Sequence, residues 1–352
     1  MKLFKCQHCG QLLYFENTRC ERCGHDLGFL SDETDLLTLM RLDSQIFADV
    51  RNQNNRYRYC ANAQYDACNW LLPIDSQSYF CVACKLNDTI PDLGKQEHLV
   101  RWRKLEIAKH RLIYTLIRLR LPLSAKADDF QNGLAFNFLA QEDAIKKVVM
   151  GHDEGLITIN LTEADEAKRV AMREKLGEPY RTLAGHFRHE SGHYYWDRLI
   201  GQSSQNLQRF RNLFGDETMD YDKSLKNYYR EGPLLNWINS FVSAYATAHP
   251  WEDWAETWAH YLHIIDTLET AYSHGLIIHP VEEREGLFVA NHRDDPFLVD
   301  DFKKLIALWY PLTVTVNSLN RSMGQPDFYP FVIAPPVVDK LDFIHRLCRS
   351  TF

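Results

Sequence analysis

His189-Glu190-Ser191-Gly192-His193 carries two imidazoles four residues apart, with a carboxylate beside the first. On a helix that spacing turns both rings to one face, where their nitrogens can grip one metal ion, and it sets Glu190 where it can hydrogen-bond a water on that ion. A hydrolytic metal needs a third protein ligand and one open position. About 60 residues on, the chain runs from Tyr245 through His249, Pro250, Trp251, Glu252, Trp254, Glu256 and Trp258 to His260. Pro250 suits a helix start, so Glu252 and Glu256 fall one turn apart on one face. One of them can bind the metal while the other orients a histidine ligand from behind. His186, one turn before His189, reads as a supporting or packed residue rather than a ligand, and His260 and His263 as solvated or packed ones. Asp197 reads as an anchor for a neighbouring arginine.

The cysteines carry a second chemistry. Eight of nine lie before residue 85, as Cys6-x2-Cys9, Cys20-x2-Cys23, Cys60, Cys68 and Cys81-x2-Cys84, with Cys348 alone. Two residues between cysteines let a tight turn aim both thiolates at one ion, and two such turns supply four sulfurs. Cys6, Cys9, Cys20 and Cys23 therefore read as one closed zinc site. Cys60, Cys68, Cys81 and Cys84 read as a second, looser because seven residues part its first pair. Disulfides are the competing reading, disfavoured because no export signal precedes the cluster. His8 and His25 read as surface residues, since four thiolates already complete the first site. Small ribbons build little core and draw their folding energy from the metal, so both zincs are expected to be structural.

Positioning these groups requires particular elements. Apolar residues from Leu99 through Trp102, Leu105, Ala108, Leu112 and Leu116 to Leu119 recur at 3.6-residue spacing, which predicts an amphipathic helix over Glu97 to Leu121, ended by Pro122. Its polar face is expected to hold Arg101, Arg103, Lys104, Lys109, Arg111, Arg118 and Arg120 against Glu97 and Glu106. Period-two patterning at Phe136 and Phe138, then around a turn at Asp153-Glu154-Gly155, predicts a small sheet with a hairpin over 148 to 161. Thr162 to Asp165 opens a helix, and helical patterns follow, broken at Gly177-Glu178-Pro179, Gly215-Asp216, Gly232-Pro233, His249-Pro250 and Pro280. Leu183, Phe187, Tyr194, Tyr195 and Leu199 frame the histidine pair at helical spacing. Gly192 inside that helix costs about 1 kcal/mol relative to alanine, a sign that something packs closely there. Gly201 to Gly232, rich in Asn, Gln, Asp and Tyr, reads either as a lid or as a solvated insertion.

The 352 residues hold 47 acidic and 40 basic side chains, for a net charge of -7, which argues against a protein dedicated to nucleic acid. With 45% hydrophobic and 12% aromatic residues the chain can fill a sizeable core and is not disordered. No long apolar run offers a membrane span, and a cytoplasmic location is expected.

The two metal-binding segments resemble those of gluzincin-type metallopeptidases of the thermolysin-like and lethal-factor-like group. The whole chain resembles a bacterial family of zinc-binding metallopeptidases with N-terminal zinc ribbons. The resemblance implies an α+β protein: a double zinc-ribbon module over 1–95, an amphipathic basic linker helix over 96–125, and a mostly helical zincin-like domain with a small β-sheet over 126–352. It implies a catalytic zinc on His189, His193 and Glu252, beside two structural zincs. It also implies Glu190 as general base, Glu256 as partner to a ligand histidine and Tyr245 as donor to the developing oxyanion, in the hydrolysis of peptide or protein substrates. Here Trp251, Trp254 and Trp258 replace the family's smaller residues, so Glu256, and behind it His249, stay open as alternative third ligands. An edge strand of the 148 to 161 hairpin would then receive an extended peptide. A zinc-ribbon adaptor for nucleic acid or protein, with a non-catalytic or regulatory metal site, is the alternative reading. An amidase or esterase on the same metal is another. Substrate preference and oligomeric state are not legible.

Overall fold

In the computed structural model, which describes residues 1–140, 150–170, 182–282, 285–286 and 288–350, the chain forms two compact units, Met1–Lys175 and Leu176–Phe352. The first unit starts with a short hairpin, β1 (Phe4–Lys5) and β2 (Leu12–Leu13), whose loop carries the first cysteine pair. Between the quartets lies an antiparallel sheet of β3 (Asp26–Leu30), β4 (Asp35–Arg41), β5 (Phe47–Asp49), β6 (Asn52–Tyr59) and β7 (Leu71–Pro73), paired in sequence order. Leu27, Phe29, Leu36, Leu37 and Leu39 are buried, so β3 and β4 are covered on both faces, as their unbroken apolar runs require. Leu30, Leu37, Leu39, Phe47, Tyr57 and Leu71 form one apolar cluster. Phe4, Phe15, Phe29, Trp70 and Tyr114 form an aromatic one. The expectation of ribbons without a core of their own is corrected: the cysteine-bearing segments adjoin a sheet that buries its own side chains.

Helix α1 (Gln96–Arg118) packs Trp102, Leu105, Leu112 and Leu116 inward, as its rhythm predicts. Its polar face differs from expectation. Glu106 and Lys109 are fully buried, because one turn pairs them at 2.9 Å and each offsets the other's lost hydration. Arg101 meets Asp165, Arg103 meets Asp66 and Arg111 meets Glu16, so much of the basic face is neutralised by the unit's own acids. Strands β8 (Asn87–Thr89), β9 (Ala135–Leu139), β10 (Gly151–Asp153) and β11 (Leu156–Asn160) form a mixed sheet in the order β10-β11-β9-β8. The β10–β11 hairpin turns where Glu154 and Gly155 take positive φ, and its expected start at Val148-Val149 lies outside the described residues. Thr162 to Asp165 opens a helix as expected, by way of a 3-10 turn: Leu161–Ala164 is capped by the Asn160 side chain, and residues 166–170 are helical directly after Asp165.

The second unit is helical: α2 (Leu183–Trp196), α3 (Ser204–Phe214), α4 (Tyr221–Glu231), α5 (Pro250–Ser273), α6 (Phe302–Ser322) and α7 (Pro335–Ser350), with one small strand pair, Ile277–Ile278 with Ala290–Asn291. Helix α5 is its axis. Trp254, Ala255, Trp258, Tyr261, Leu262 and Ile265 are buried, and α2, α3, α6 and α7 all pack on it. Pro250 takes the first turn, where its missing N–H is no loss, and His249 caps the helix. The Gly201–Gly232 stretch is neither plain lid nor loose insertion. It folds as α3, anchored under Trp254 by Phe210 and Phe214, and as α4, which buries no side chain. The expected break at Gly177-Glu178-Pro179 lies outside the described residues. The α+β class, with a zinc-ribbon region ahead of a mostly helical remainder carrying small sheets, stands as expected. Among the described residues no helix is long and apolar enough to cross a membrane.

Candidate metal centre

Two helices build the centre. Gly192 lets α2 approach α5 so closely that a Cβ there would stand 2.9 Å from the Ala255 Cα and 3.2 Å from the Trp258 Cβ. Two tryptophans lock the register: Trp254 Nε1 donates to the Gly192 carbonyl at 2.8 Å and Trp258 Nε1 to Ser191 Oγ at 3.1 Å. The tryptophan stripe therefore grips two of the three residues between the histidines, and both helices turn their polar groups to one place.

At that place His189 Nε2 lies 3.3 Å from His193 Nε2 and 3.1 Å from Glu252 Oε2, and His193 Nε2 lies 3.7 Å from Glu252 Oε1. His189, His193 and Glu252 thus offer donor atoms close enough to share one ion. Glu256 is on the far side of the ring: its Oε1 is 2.7 Å from His189 Nδ1, while Ser243 Oγ donates to its other oxygen at 2.6 Å. With Nδ1–H donated to Glu256, His189 Nε2 presents a lone pair. Opposite it, Glu252 Oε2 is buried and has no hydrogen-bond partner among the described residues. Two electron-rich atoms facing each other out of water require a positive charge between them, which a proton on Nε2 or a divalent ion shared with His193 would supply. The donor set fits zinc. His249 is not part of the set, because Trp251 N–H donates to its Nδ1 and its Nε2 lies 3.1 Å from the Met219 carbonyl.

The electrostatics follow this geometry. Burial pushes the His189 imidazole down, yet the Glu252 and Glu256 carboxylates hold it well above the usual histidine range. Burial pushes Glu252 up, yet His193 and His189 hold it well below the carboxylate range. Glu190 is buried too, and His186, with its Nε2 3.4 Å from Glu190 Oε1, brings the carboxyl down to about 2, so Glu190 is an anion at neutral pH. Tyr245 sits in a 3-10 turn (Tyr245–Thr247) with its ring 6.0 Å from that of His189; burial and then Glu252 push its hydroxyl up, keeping it a donor. Ser243 and Tyr221, whose hydroxyl donates to Glu252 Oε1 at 2.5 Å, were invisible to sequence reasoning: no spacing links them to the histidine pair, although Tyr221 lies in the Tyr-rich stretch singled out above. His260 meets the Tyr329 hydroxyl at 2.6 Å and His263 takes the Arg188 guanidinium, so both are packed. Asp197 has no arginine partner among the described residues, and burial raises its carboxyl.

In the first unit, Cys6 Sγ stands 3.6 Å from Cys23 Sγ, Cys9 Sγ 3.6 Å from Cys20 Sγ and Cys68 Sγ 3.7 Å from Cys81 Sγ. A disulfide would bring them to about 2 Å. A tetrahedron of zinc–sulfur bonds has edges of roughly 3.8 Å, and the four sulfurs of each quartet lie within 4.8 Å of one another. Thr38 Oγ1 donates to Cys6 Sγ, and the N–H groups of Trp70 and Cys81 reach Cys68 and Cys60, as thiolates require. Cys84 also meets His110 Nε2 at 3.6 Å and Glu106 Oε2 at 3.7 Å, which explains why α1 buries charge there. His8 and His25 face each other beside Cys23, with rings 4.2 Å apart.

A sequence model described as "Putative zinc-binding metallo-peptidase" matches residues 98–347, and a zinc-ribbon domain model matches residues 3–95. Uncharacterized proteins of Mycobacterium tuberculosis and Mycobacterium bovis are 43% identical over 348 residues, covering 99% of this chain and 95% of theirs. No solved structure matches the chain at a significant level.

Proposed function

This chain belongs to the zinc-binding metallo-peptidase family, and from that premise we propose that it hydrolyses peptide bonds as a gluzincin-type zinc metallopeptidase. The observation that carries the reading is the buried Glu252 Oε2, without a hydrogen bond among the described residues, 3.1 Å from His189 Nε2, with Glu256 on that ring's other nitrogen. His189, His193 and Glu252 would hold the catalytic zinc, which when bound supplies polarisation of a water and of the scissile carbonyl. The chain's own groups do the rest. Glu190, held ionised by His186, takes the proton of the attacking water and later passes it to the departing amine. Glu256, itself held by Ser243, keeps His189 in the tautomer whose Nε2 faces the site. Tyr245, kept protonated, donates to the oxyanion as it develops. The two cysteine quartets would hold two structural zincs. Peptide or protein is the proposed substrate.

The test is Glu190→Gln with a peptide library. Loss of a general base lowers turnover by roughly 10²–10⁴-fold, and zinc content should stay at the wild-type level because Glu190 is not a ligand. Undiminished cleavage in the zinc-loaded variant removes Glu190 as the base. No cleavage by the wild type, despite a filled site, favours an amide or ester substrate of another kind.

A further inference from the structure

The two oxygens of Glu252 have different surroundings. Oε2 lies 3.1 Å from His189 Nε2 and has no hydrogen bond among the described residues, whereas Oε1, farther from the histidines at 3.7 Å from His193 Nε2, accepts the Tyr221 hydroxyl proton at 2.5 Å. A hydrogen bond from a neutral hydroxyl to a buried carboxylate is short and strong, and it occupies one of that oxygen's two lone pairs, which makes the oxygen a poorer ligand for a cation than its neighbour. Glutamate can bind a metal ion through one oxygen or through both. With both engaged, the place a zinc hydrolase leaves open for water would be taken by the protein itself.

Tyr221 reaches the site from an unusual element. It is the first residue of α4, a helix of 11 residues with no buried side chain, capped by Asp220 and ended by Gly232 at φ +80°. Before it, Gly215 ends α3 at φ +106°. Helix α4 therefore adds nothing to the core. What it does supply is Tyr221 on Glu252 and Tyr228, whose ring meets Tyr245 edge-on at 5.6 Å. An element whose apolar side chains are at most half-buried, bounded by glycines in conformations other residues avoid, opens at lower cost than a core helix.

We propose that Tyr221 is a positioning residue that restricts Glu252 to one-oxygen coordination, and that α4 is the hinged segment that delivers it, so closing this segment keeps a coordination place free. This rests on the metal centre proposed above.

The experiment uses the full chain with its chelator-labile metal replaced by one equivalent of cobalt(II), and azide as a probe of the open place. Wild-type protein should bind azide with a change in the visible cobalt spectrum. Tyr221→Phe, which removes one oxygen and keeps the ring, should need at least tenfold more azide. Its amides over 221–231 should exchange hydrogen severalfold faster. Faster exchange with unchanged azide affinity reduces Tyr221 to a structural tether and overturns the proposal, as does a variant that matches wild type in both. Wild-type protein that takes up no cobalt at a chelator-labile site refutes instead the metal centre on which the proposal rests. Tyr221→His, a smaller donor at the same position, should recover part of the azide affinity, and equal loss in both variants also overturns it.

Discussion

Gly192 and Ala255 stand so close that the Cβ which Gly192 lacks would fall 2.9 Å from the Ala255 Cα. Backbone, rather than a movable side-chain end, occupies that space, so the approach of α2 to α5 depends on the glycine. The consequence is chemical, because those two helices carry the histidines and the glutamates.

Gly192→Val should therefore separate the helices. Overpacking of this kind costs roughly 1–3 kcal/mol, and the zinc proposed between α2 and α5 should be lost while that proposed for the cysteine quartets stays. Urea unfolding together with metal analysis checks both. A variant with unchanged zinc content would show that the helices tolerate the shift.

Removing each acid of α5 should have a distinct outcome. Glu252→Ala deletes a donor atom and should abolish one zinc. Glu256→Ala deletes the acceptor behind His189 and should weaken zinc affinity by about 10–100-fold. Competition with a zinc chelator ranks the two, and the reverse order would exchange their roles.

Whole-protein zinc content should be three per chain, one of them released first by chelator. The quartets are closed by four sulfurs each, whereas the third site has three protein donors. Elemental analysis giving two would remove either the second quartet or the helical site.

Stability should fall in acid through His260. Burial lowers its imidazole from the ordinary 6.5 to about 4, so the unfolded chain binds a proton below 6.5 and the folded chain only below about 4. Stability is present above 6.5 and lost as pH falls from there toward 4, by roughly 3 kcal/mol at full extent. Urea midpoints of wild type and His260→Asn, compared at pH 7.5 and 4.5, isolate this contribution. Equal pH slopes in the two proteins would count against it.

The amphipathic rhythm of α1, the β10–β11 turn and the Pro250 helix start were legible because each is local: a period, a positive-φ pair, a missing N–H. The cysteine pairs were legible for the same reason, since two residues suffice to aim two thiolates. The sheet between the quartets was not read, because β3 and β4 are covered on both faces and their apolar runs lack the alternation that marks a half-exposed strand. Lys109 misled because its burial depends on Glu106, Asn87 and the nearby cysteines, which no helical period encodes.

By itself, the sequence determined which groups could meet: two imidazoles on one helical face, two carboxylates a turn apart on another, two sets of four thiolates. Those are short-range matters of backbone geometry. Only the tertiary structure decided which glutamate faces both imidazoles and which lies behind one of them. That choice depends on the rotation of α5 against α2, set by the Gly192–Ala255 approach and the two tryptophan hydrogen bonds. It also brought in Ser243 and Tyr221, because a hydroxyl reaches a buried carboxylate through space, and sequence distance carries no trace of it.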